Sequence, residues 1–120
     1  MNKEELYKIL ELHKKWLNNE EGCVRANLGD ADLRYADLRY ADLSDANLRY
    51  ADLDYSCLPL WCGSLLANMD DRQVKQILYH LLSIIKHSNN VSDSIKEKLL
   101  TEENLEIAIE FHRAEECNKL

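Results

Sequence analysis

The residues of this chain with the widest chemical repertoire are its four cysteines and four histidines. A structural zinc site needs four such ligands converging at about 2.0–2.3 Å. The cysteines (Cys23, Cys57, Cys62 and Cys117) show no close C-x-x-C spacing. His80 and His87 share a helix face but are about 10.5 Å apart along its axis, too far for one ion. The sequence therefore predicts no metal site and no cofactor, and it favours reduced thiols.

A catalytic site is also weakly indicated. The segment "HRAEEC", His112 to Cys117, brings a histidine, two glutamates and a cysteine together, and a Cys–His pair is one interpretation. A polar helix end is the commoner structure for such a segment. The chain has no G-x-S-x-G, no H-E-x-x-H and no glycine-rich phosphate loop. We therefore predict that the protein is not an enzyme.

Arginine and tyrosine form the most suggestive pattern, with three Arg–Tyr doublets and one further tyrosine within residues 34–55. Both residue types are enriched at interface hot spots, and both stack on or pair with nucleotides and phosphates. An alternative is that the tyrosines only stabilise the fold, as cross-strand aromatic pairs do. The candidate binding residues are Arg34, Tyr35, Arg39, Tyr40, Arg49, Tyr50 and Tyr55, with the outward acids Asp30 and Asp45.

These doublets belong to a five-residue repeat, "ANLGD ADLRY ADLRY ADLSD ANLRY ADLDY SCLPL", from Ala26 to Leu60. A period of five fits neither a helix nor a strand, and short repeats stack because no unit buries its own apolar face. The central leucines, predicted to be structural, are Leu28, Leu33, Leu38, Leu43, Leu48, Leu53 and Leu58.

A turn of about ninety degrees every five residues would place each alanine and leucine inside, and about 20 residues would then close one square coil. Residues 20 apart would become neighbours. This stacking predicts that Tyr35 lies on Tyr55 and that Arg34 pairs with Asp54.

The pattern A(D/N)LXX resembles the pentapeptide-repeat family. The resemblance implies a right-handed quadrilateral β-helix. It also implies that the Asp or Asn before each leucine supports a turn, a task that suits their short polar side chains. The stretches "KKWLNNEEG" and "DYSCLPLWCGSL" beside the repeat resemble short phage and prophage members. That resemblance implies action against a host enzyme or defence system.

The elements around the repeat are predicted to be helical. Leu6, Ile9, Leu10, His13, Trp16 and Leu17 form one helical stripe, and Asn2 with Glu5 resembles a capping box. The fold prediction is a mainly β solenoid with α caps: a capping helix in residues 1–22, a β-helix over 23–69 and a helical region over 70–120. Apolar residues on more than one face of the C-terminal helices favour a homodimer formed through them.

Charge limits the partners. Fifteen basic and 22 acidic residues give a net charge of −7, which opposes nonspecific binding to nucleic acids or anionic membranes. The expected partner is a protein with a basic or nucleic-acid-binding surface. The N-terminus lacks a secretory signal, and no run is long enough to span a bilayer. The expected location is the cytoplasm.

Three functional hypotheses follow. The leading one is a non-enzymatic inhibitor that blocks a host enzyme or defence system by occlusion. The second is a DNA mimic acting on gyrase or another DNA-binding enzyme, as some larger relatives are held to do. The repeat, however, makes a cylinder of only about 8–10 Å, whereas one duplex turn takes about 34 Å. The third is sequestration of a small anionic ligand such as a nucleotide signal.

Overall fold

The computed structural model of the protein describes residues 1–62, 64–117 and 120. It divides into two compact units, Met1–Asp70 and Asp71–Leu120. No helix within the described residues is long and apolar enough to cross a membrane. The helices are α1 (Lys3–Leu17), α2 (Asp71–His87), α3 (Asp93–Leu99) and α4 (Glu102–Ala108), followed by a 3₁₀ turn at Ala114–Glu116.

Helix α1 begins where the capping pattern predicts. The Asn2 side chain accepts a hydrogen bond from the Glu5 N–H at 2.8 Å, which satisfies one of the free amides of the first turn. Acidic residues stand in the first turn and Lys14 and Lys15 in the last, so both ends complement the helix dipole. Leu6 and His13 are buried on the face turned toward the repeat. The predicted N-terminal helix is confirmed.

The repeat forms a chain of tight turns that stacks on itself. In the first six units a backbone N–H closes a turn onto the central leucine, as the Ala31 N–H does with the Leu28 carbonyl at 3.1 Å. Parallel bridges join residues 20 apart, at positions 27 and 47, 32 and 52, and 37 and 57. We call residues 26–45 the first layer and residues 46–66 the second layer.

The residue before each central leucine supports the following turn. The side-chain oxygen of each accepts the backbone N–H two residues later, at 3.0–3.2 Å. This Asx arrangement mimics a backbone turn, so the six residues have the structural role that the resemblance implied. They are Asn27, Asp32, Asp37, Asp42, Asn47 and Asp52.

The prediction of a mainly β solenoid is not confirmed. The described residues contain isolated bridges but no strand, and 42% of them are helical. The physical reason lies in the period. Each five-residue unit uses its last two residues in a turn, so a single bridging residue remains and extended pairing cannot propagate.

The core of the first unit is built by the inward positions. Leu28, Leu33, Leu38, Leu43 and Leu48 are at most 1% exposed, Leu53 is 6% exposed, and Leu58 is half-buried beside them. Ala26, Ala46 and Ala51 are buried in the same cluster, into which Leu6 of α1 also packs. A small and a large apolar residue per unit thus fill the interior of both layers.

The stacking continues beyond the clear repeat. Asn68 bridges Asn47 across 21 residues rather than 20, so the second layer contains one extra residue. The described residues of the stretch "LPLWCGSLLANM", Leu58 to Met69, complete the coil irregularly. Its last three residues, Ala67 to Met69, are another copy of the Ala-Asn-apolar pattern, and this start of a third layer was missed.

The second unit has its own core. Tyr79, Leu82 and Ile85 of α2 pack with Ala108 and Phe111, and the Tyr79 and Phe111 rings are 5.2 Å apart. Burial raises the pKa of the Tyr79 hydroxyl. Ser92 and Thr101 cap α3 and α4, since their hydroxyls accept the N–H groups of Ile95 and Asn104. The region predicted to be helical up to residue 120 is so only in part, because α4 ends at Ala108 and, of the described residues after it, only the 3₁₀ turn at Ala114–Glu116 is helical.

Candidate functional site

The turns of the two layers lie above one another in four turn columns. The Asp30 N–H donates to the Arg49 carbonyl at 3.0 Å, the Tyr35 N–H to Asp54 at 3.2 Å and the Asp45 N–H to Leu66 at 2.8 Å. The Trp61 indole donates to the Ala41 carbonyl at 3.1 Å, next to the third column. The first, second and fourth columns contain Gly29–Asp30 with Arg49–Tyr50, Arg34–Tyr35 with Asp54–Tyr55, and Ser44–Asp45 with Leu65–Leu66. The register set by the flanking Leu38–Cys57 and Ala41–Trp61 bonds assigns Arg39–Tyr40 and Pro59–Leu60 to the third column.

This arrangement distributes the predicted binding residues. Tyr35 and Tyr55 are brought together, with Arg34 beside them, in the second column. Asp30, Arg49 and Tyr50 share the first column, Arg39 and Tyr40 lie in the third, and Asp45 lies in the fourth. The candidates therefore lie on successive columns rather than on a single face.

Five of the turn residues have left-handed backbone. The φ angles of Asp30, Tyr35, Asp45, Tyr50 and Tyr55 lie between 61° and 63°. A positive φ at the second central residue is the mark of a type II turn, which ordinarily favours glycine or asparagine. Tyr40 stands at the same place in its unit without a positive φ. The third column thus begins with a different turn.

Two of the three doublet arginines are held by their own turn aspartates. The Arg34 Nε and Nη2 donate to the two Asp32 carboxylate oxygens at 2.9 and 2.8 Å. Arg39 holds Asp37 in the same fork, at 2.9 Å for both bonds. Side-chain bonds from these arginines lower the pKa of Asp32 below its usual range and that of Asp37 to about 2. Both carboxylates are ionised at neutral pH, so both guanidinium charges are compensated.

Arg49 differs because Asn47 precedes it where the other doublets have aspartate. The Asn47 Oδ1 accepts the Arg49 backbone N–H at 3.0 Å but carries no charge. Among the described residues, no carboxylate lies within ion-pair distance of the Arg49 guanidinium, which stands 5.9 Å from the centre of the Tyr50 ring. The residue type two positions before each arginine, aspartate or asparagine, therefore decides whether that arginine forms an ion pair.

The second column tests the 20-residue stacking directly. The Tyr35 and Tyr55 rings are 5.1 Å apart and 7° from parallel, so the predicted stack is confirmed. The predicted Arg34–Asp54 pair is wrong. Arg34 binds Asp32 and lies 3.8 Å from Asp52, because the bridging residues are nearer to the arginine than the turn residue of the next layer. Asp54 itself is only 5% exposed.

The third column carries the most exposed apolar side chains of the first unit. Tyr40 is 90% exposed and Leu60 is 87% exposed, and the neighbouring Trp61 is 48% exposed. The Arg39 guanidinium lies 5.8 Å from the centre of the Tyr40 ring. Leu60 and Trp61 were not among the predicted residues. The repeat contained the signal for Leu60, because this leucine occupies the outward fifth position that tyrosine takes in four other units.

His13 fastens α1 to the first layer. Its ring is fully buried, its Nδ1 accepts the Ala26 N–H at 3.0 Å, and its Nε2 lies 2.9 Å from the Ser44 carbonyl. Since a carbonyl can only accept, Nε2 carries the proton. Sequence reasoning placed His13 on the apolar stripe but did not reveal these bonds, because their partners are 13 and 31 residues away.

A groove of about 740 Å³ runs between α1 and the first layer. Leu6, Tyr7 and Leu10 form its helical side, and the first-layer residues from Asp32 to Asp42 form the other. Tyr40 and Trp61 also line it, so the groove adjoins the third column. A volume of this size lies within the range of ligand-binding clefts.

In the C-terminal "HRAEEC" segment, the described contacts include an ion pair and a ring contact. Glu116 pairs with Arg113 at 2.6 Å, and the His112 ring packs on Phe111 at 4.8 Å. Within the described part of the chain, no three His, Cys, Asp or Glu residues are grouped so that they could hold a metal ion.

Comparison with known proteins supports the assignment of the repeat. Residues 26–59 match the family model described as pentapeptide repeats, in eight copies. No curated protein and no solved structure matches the chain. The matched residues coincide with the layers, the turn columns and the inward leucines described above. Residues 26–59 are therefore pentapeptide repeats, which confirms the family predicted from the sequence.

Proposed function

We propose that this chain is a non-enzymatic cytoplasmic binding protein that inhibits a partner protein by occlusion, with the third turn column as its main contact surface. The exposure of Tyr40 (90%) and Leu60 (87%) on that column carries the proposal. Large side chains this exposed gain free energy when a partner covers them. Tyrosine also belongs to the residue types that dominate interface hot spots.

In this proposal the repeats wind as a short right-handed quadrilateral β-helix, which acts as a rigid platform. Support comes from the six Asx bonds and the two Asp–Arg forks, which hold the turns in one conformation. A surface that is ordered before binding loses less entropy when the complex forms. The same forks compensate the charges of Arg34 and Arg39, so they favour an aromatic and apolar contact over capture of an anion.

The partner we propose is a host enzyme or defence protein with a basic or nucleic-acid-binding surface, met by a protein of phage or prophage type. The net charge of −7 supports such a partner, since complementary charge steers association. Inhibition by occlusion requires no contact with the catalytic residues of the partner. It requires only that the protein covers the partner's substrate channel.

Substitutions in the third column test this proposal. We expect Tyr40→Ala and Leu60→Ser each to weaken partner binding by about 30-fold or more, the size of a hot-spot loss of about 2 kcal/mol. The partner would be isolated from a bacterial lysate, identified by mass spectrometry and titrated by calorimetry. Tyr50→Asn is the matched control, because Tyr50 is an exposed tyrosine of another column and asparagine accepts its left-handed backbone. Equal affinities for all four proteins would contradict the proposal.

The two alternatives receive less support. The start of a third layer lengthens the stack to at most about 14 Å, at about 4.8 Å per layer, which is still far below the roughly 34 Å of one duplex turn. Competition with DNA that is lost when Asp30 and Asp45 are both replaced by lysine would revive the mimic. For an anionic ligand, Arg49 is the one unpaired doublet arginine in the described chain. Thermal stabilisation by nucleotides that Arg49→Ala abolishes would revive ligand capture.

We also propose that the protein acts as a homodimer formed through its C-terminal helices. Val74, Ile77, Leu81 and Ile84 of α2 are 36–62% exposed and follow the 3-4-3 spacing of a coiled-coil seam. Asp71 lies in the first turn of α2 and Lys86 and His87 in its last. An antiparallel pair of α2 helices would therefore bring opposite charges together at both ends.

A further inference from the structure

The first layer has an open backbone edge on the side of α1. Within the stack, the bridging residue of each layer pairs with the layer before it. The Asp52 N–H donates to the Ala31 carbonyl at 2.9 Å, and the Cys57 N–H donates to the Ala36 carbonyl at 2.9 Å. The carbonyls of these bridging residues accept the N–H groups of Leu33 and Leu38 in the layer before. The equivalent groups of the first layer have no preceding layer to meet.

Helix α1 and the N-terminus satisfy this edge only in part. The Met1 ammonium group donates to the Asp32 carbonyl at 3.2 Å, and His13 bonds the Ser44 carbonyl. Between these two points, the backbone N–H and C=O groups of Asp37 and Asp42 have no hydrogen-bond partner among the described residues. An unpaired edge of this kind is a template for another extended chain.

The groove lies over this unpaired stretch. Asp37 and Asp42 line it together with the half-buried Ala36 and Ala41, opposite Leu10 of α1. The edge therefore offers backbone donors and acceptors beside an apolar wall.

The charges around the groove do not favour an anion or a cation. Lys3 and Lys14 line it on the helical side, and Glu11 stands between them in sequence. Asp42 adds a negative charge on the other side, and the Asp37 carboxylate is already engaged by Arg39. With the Met1 ammonium group, which also lines the groove, the rim carries charges of both signs above unpaired backbone groups, and this mixture matches a peptide better than a nucleotide or another charged small molecule.

We propose that this groove binds a peptide segment of a partner protein that turns with the first layer and pairs its backbone with Asp37 and Asp42. An apolar side chain of the segment enters between Leu10 and the two alanines. The inference rests on the proposed function only in that the partner is a protein. The two surfaces adjoin at Tyr40, but they can be tested separately, since Leu10 and Tyr7 line the groove whereas Leu60 does not.

Hydrogen exchange of the free protein is the first test. We expect the amides of Asp37 and Asp42 to exchange at least 100-fold faster than those of Asp52 and Cys57. Cys57 is the counterpart of Asp37 in the second layer, and Asp52 is the bridging residue of the unit before Cys57. Nuclear magnetic resonance resolves these amides in the intact chain. Equal protection of the two pairs in the free protein would overturn the proposal, because it would show that the edge is already paired.

A displayed library of random linear peptides, selected on the full chain, provides the probe. We expect enriched peptides to slow exchange at Asp37 and Asp42, and Tyr7→Ala and Leu10→Arg to weaken their binding by at least 10-fold. Leu12→Ala, on the same helix but outside the groove, is the matched control. N-methylation of the peptide residue that pairs with Asp37 should also weaken binding by at least 10-fold.

Three outcomes would overturn the proposal. If no peptide is enriched, the edge is merely hydrated. If peptides bind but N-methylation changes nothing, the groove takes apolar groups without backbone pairing. If protection of Asp37 and Asp42 instead rises with protein concentration alone, the occupant is a second copy of this chain. Loss of partner binding in Leu60→Ser with peptide binding intact would separate this site from the third column.

Discussion

Side chains two residues apart control the charge of the repeat surface. The Asp32–Arg34 and Asp37–Arg39 forks place both charges of each pair within 3 Å, so two of the three doublets have no net charge to offer. At the third doublet, Asn47 keeps the turn bond and releases Arg49. The sequence shows where aspartate and asparagine stand, but it does not show that the arginine side chain folds back onto the aspartate of its own turn.

The Asp37 pair should make stability sensitive to acid. The pKa of Asp37 falls from 3.8 to about 2 on folding, chiefly through the side-chain bond from Arg39. A lowered pKa means that the contribution is complete above pH 3.8 and is lost as the pH falls toward 2. We expect the melting temperature of the wild type to drop more steeply over this window than that of Asp37→Asn, because only the wild type loses a carboxylate–arginine pair when it is protonated. The difference should be small, since the pair is solvent-exposed.

The control for the acid effect is Asp45→Asn, which removes an exposed carboxylate that no arginine holds. Circular dichroism melts at pH values from 2 to 5, in low salt and in 0.5 M salt, provide the measurement. Salt should reduce the difference, since it screens exposed charges. Parallel pH profiles for the wild type and Asp37→Asn would contradict the prediction.

The left-handed turn positions predict opposite responses to glycine. Asp45 has a φ of 61° whereas Tyr40 has no positive φ. Side chains in this region cost about 1–2 kcal/mol, and glycine avoids that cost at an entropic loss of about 0.5–1 kcal/mol. We expect Asp45→Gly to raise the free energy of unfolding by up to about 1 kcal/mol, and Tyr40→Gly to lower it. Urea unfolding measures both, and the same sign at the two positions would show that the turns do not differ.

At the scale of elements, the attachment of α1 decides how the first layer ends. A layer without a predecessor must leave backbone groups unpaired, and buried groups of this kind are costly. His13 satisfies Ala26 and Ser44 together, because a neutral imidazole both accepts and donates. The amphipathic stripe predicted that α1 packs, and the ring's two bonds explain where it packs.

Replacing His13 should weaken the first unit. We expect His13→Leu to lower the free energy of unfolding by about 2–4 kcal/mol. The substitution removes the hydrogen bonds of the Ala26 N–H and the Ser44 carbonyl to the ring, and each lost bond costs about 1–3 kcal/mol. His87→Leu is the control, since His87 is exposed in the last turn of α2, and it should change stability by less than about 0.5 kcal/mol. Chemical denaturation followed by Trp16 and Trp61 fluorescence reports on this unit. A loss below about 1 kcal/mol for His13→Leu would show that water replaces the ring.

At the scale of the whole molecule, two separate cores leave one large apolar feature uncovered. Leu6 and the repeat residues form one core, and Tyr79, Leu82 and Phe111 belong to the other. The α2 stripe from Val74 to Ile84 belongs to neither, which explains why the sequence showed apolar residues on more than one face of this helix. Sequence periodicity alone did not reveal which face turns inward.

The proposed dimer predicts that a charge on the stripe produces monomers. We expect Leu81→Lys to raise the dimer dissociation constant by at least 100-fold, because a buried unpaired charge at a symmetric interface occurs twice. Ile95→Lys is the control, since Ile95 is similarly exposed but lies on α3. Sedimentation equilibrium across a range of concentrations measures the association. A wild type that stays monomeric at 100 µM, or a Leu81→Lys variant that stays dimeric, would contradict the prediction.

The sequence by itself determined the features that depend on neighbours within about five residues. The leucine period, the Asx turns and the caps at Asn2, Ser92 and Thr101 are all short-range, so letters and spacing were sufficient. The tertiary structure alone decided which edge groups His13 satisfies, where the groove opens and where the register gains a residue. These features join atoms that are 13–31 residues apart, and no local pattern specifies such a distance. The Arg–Tyr doublets in the sequence indicated the outward positions, but only the stacking of the two layers placed Tyr40 in the same column as Leu60.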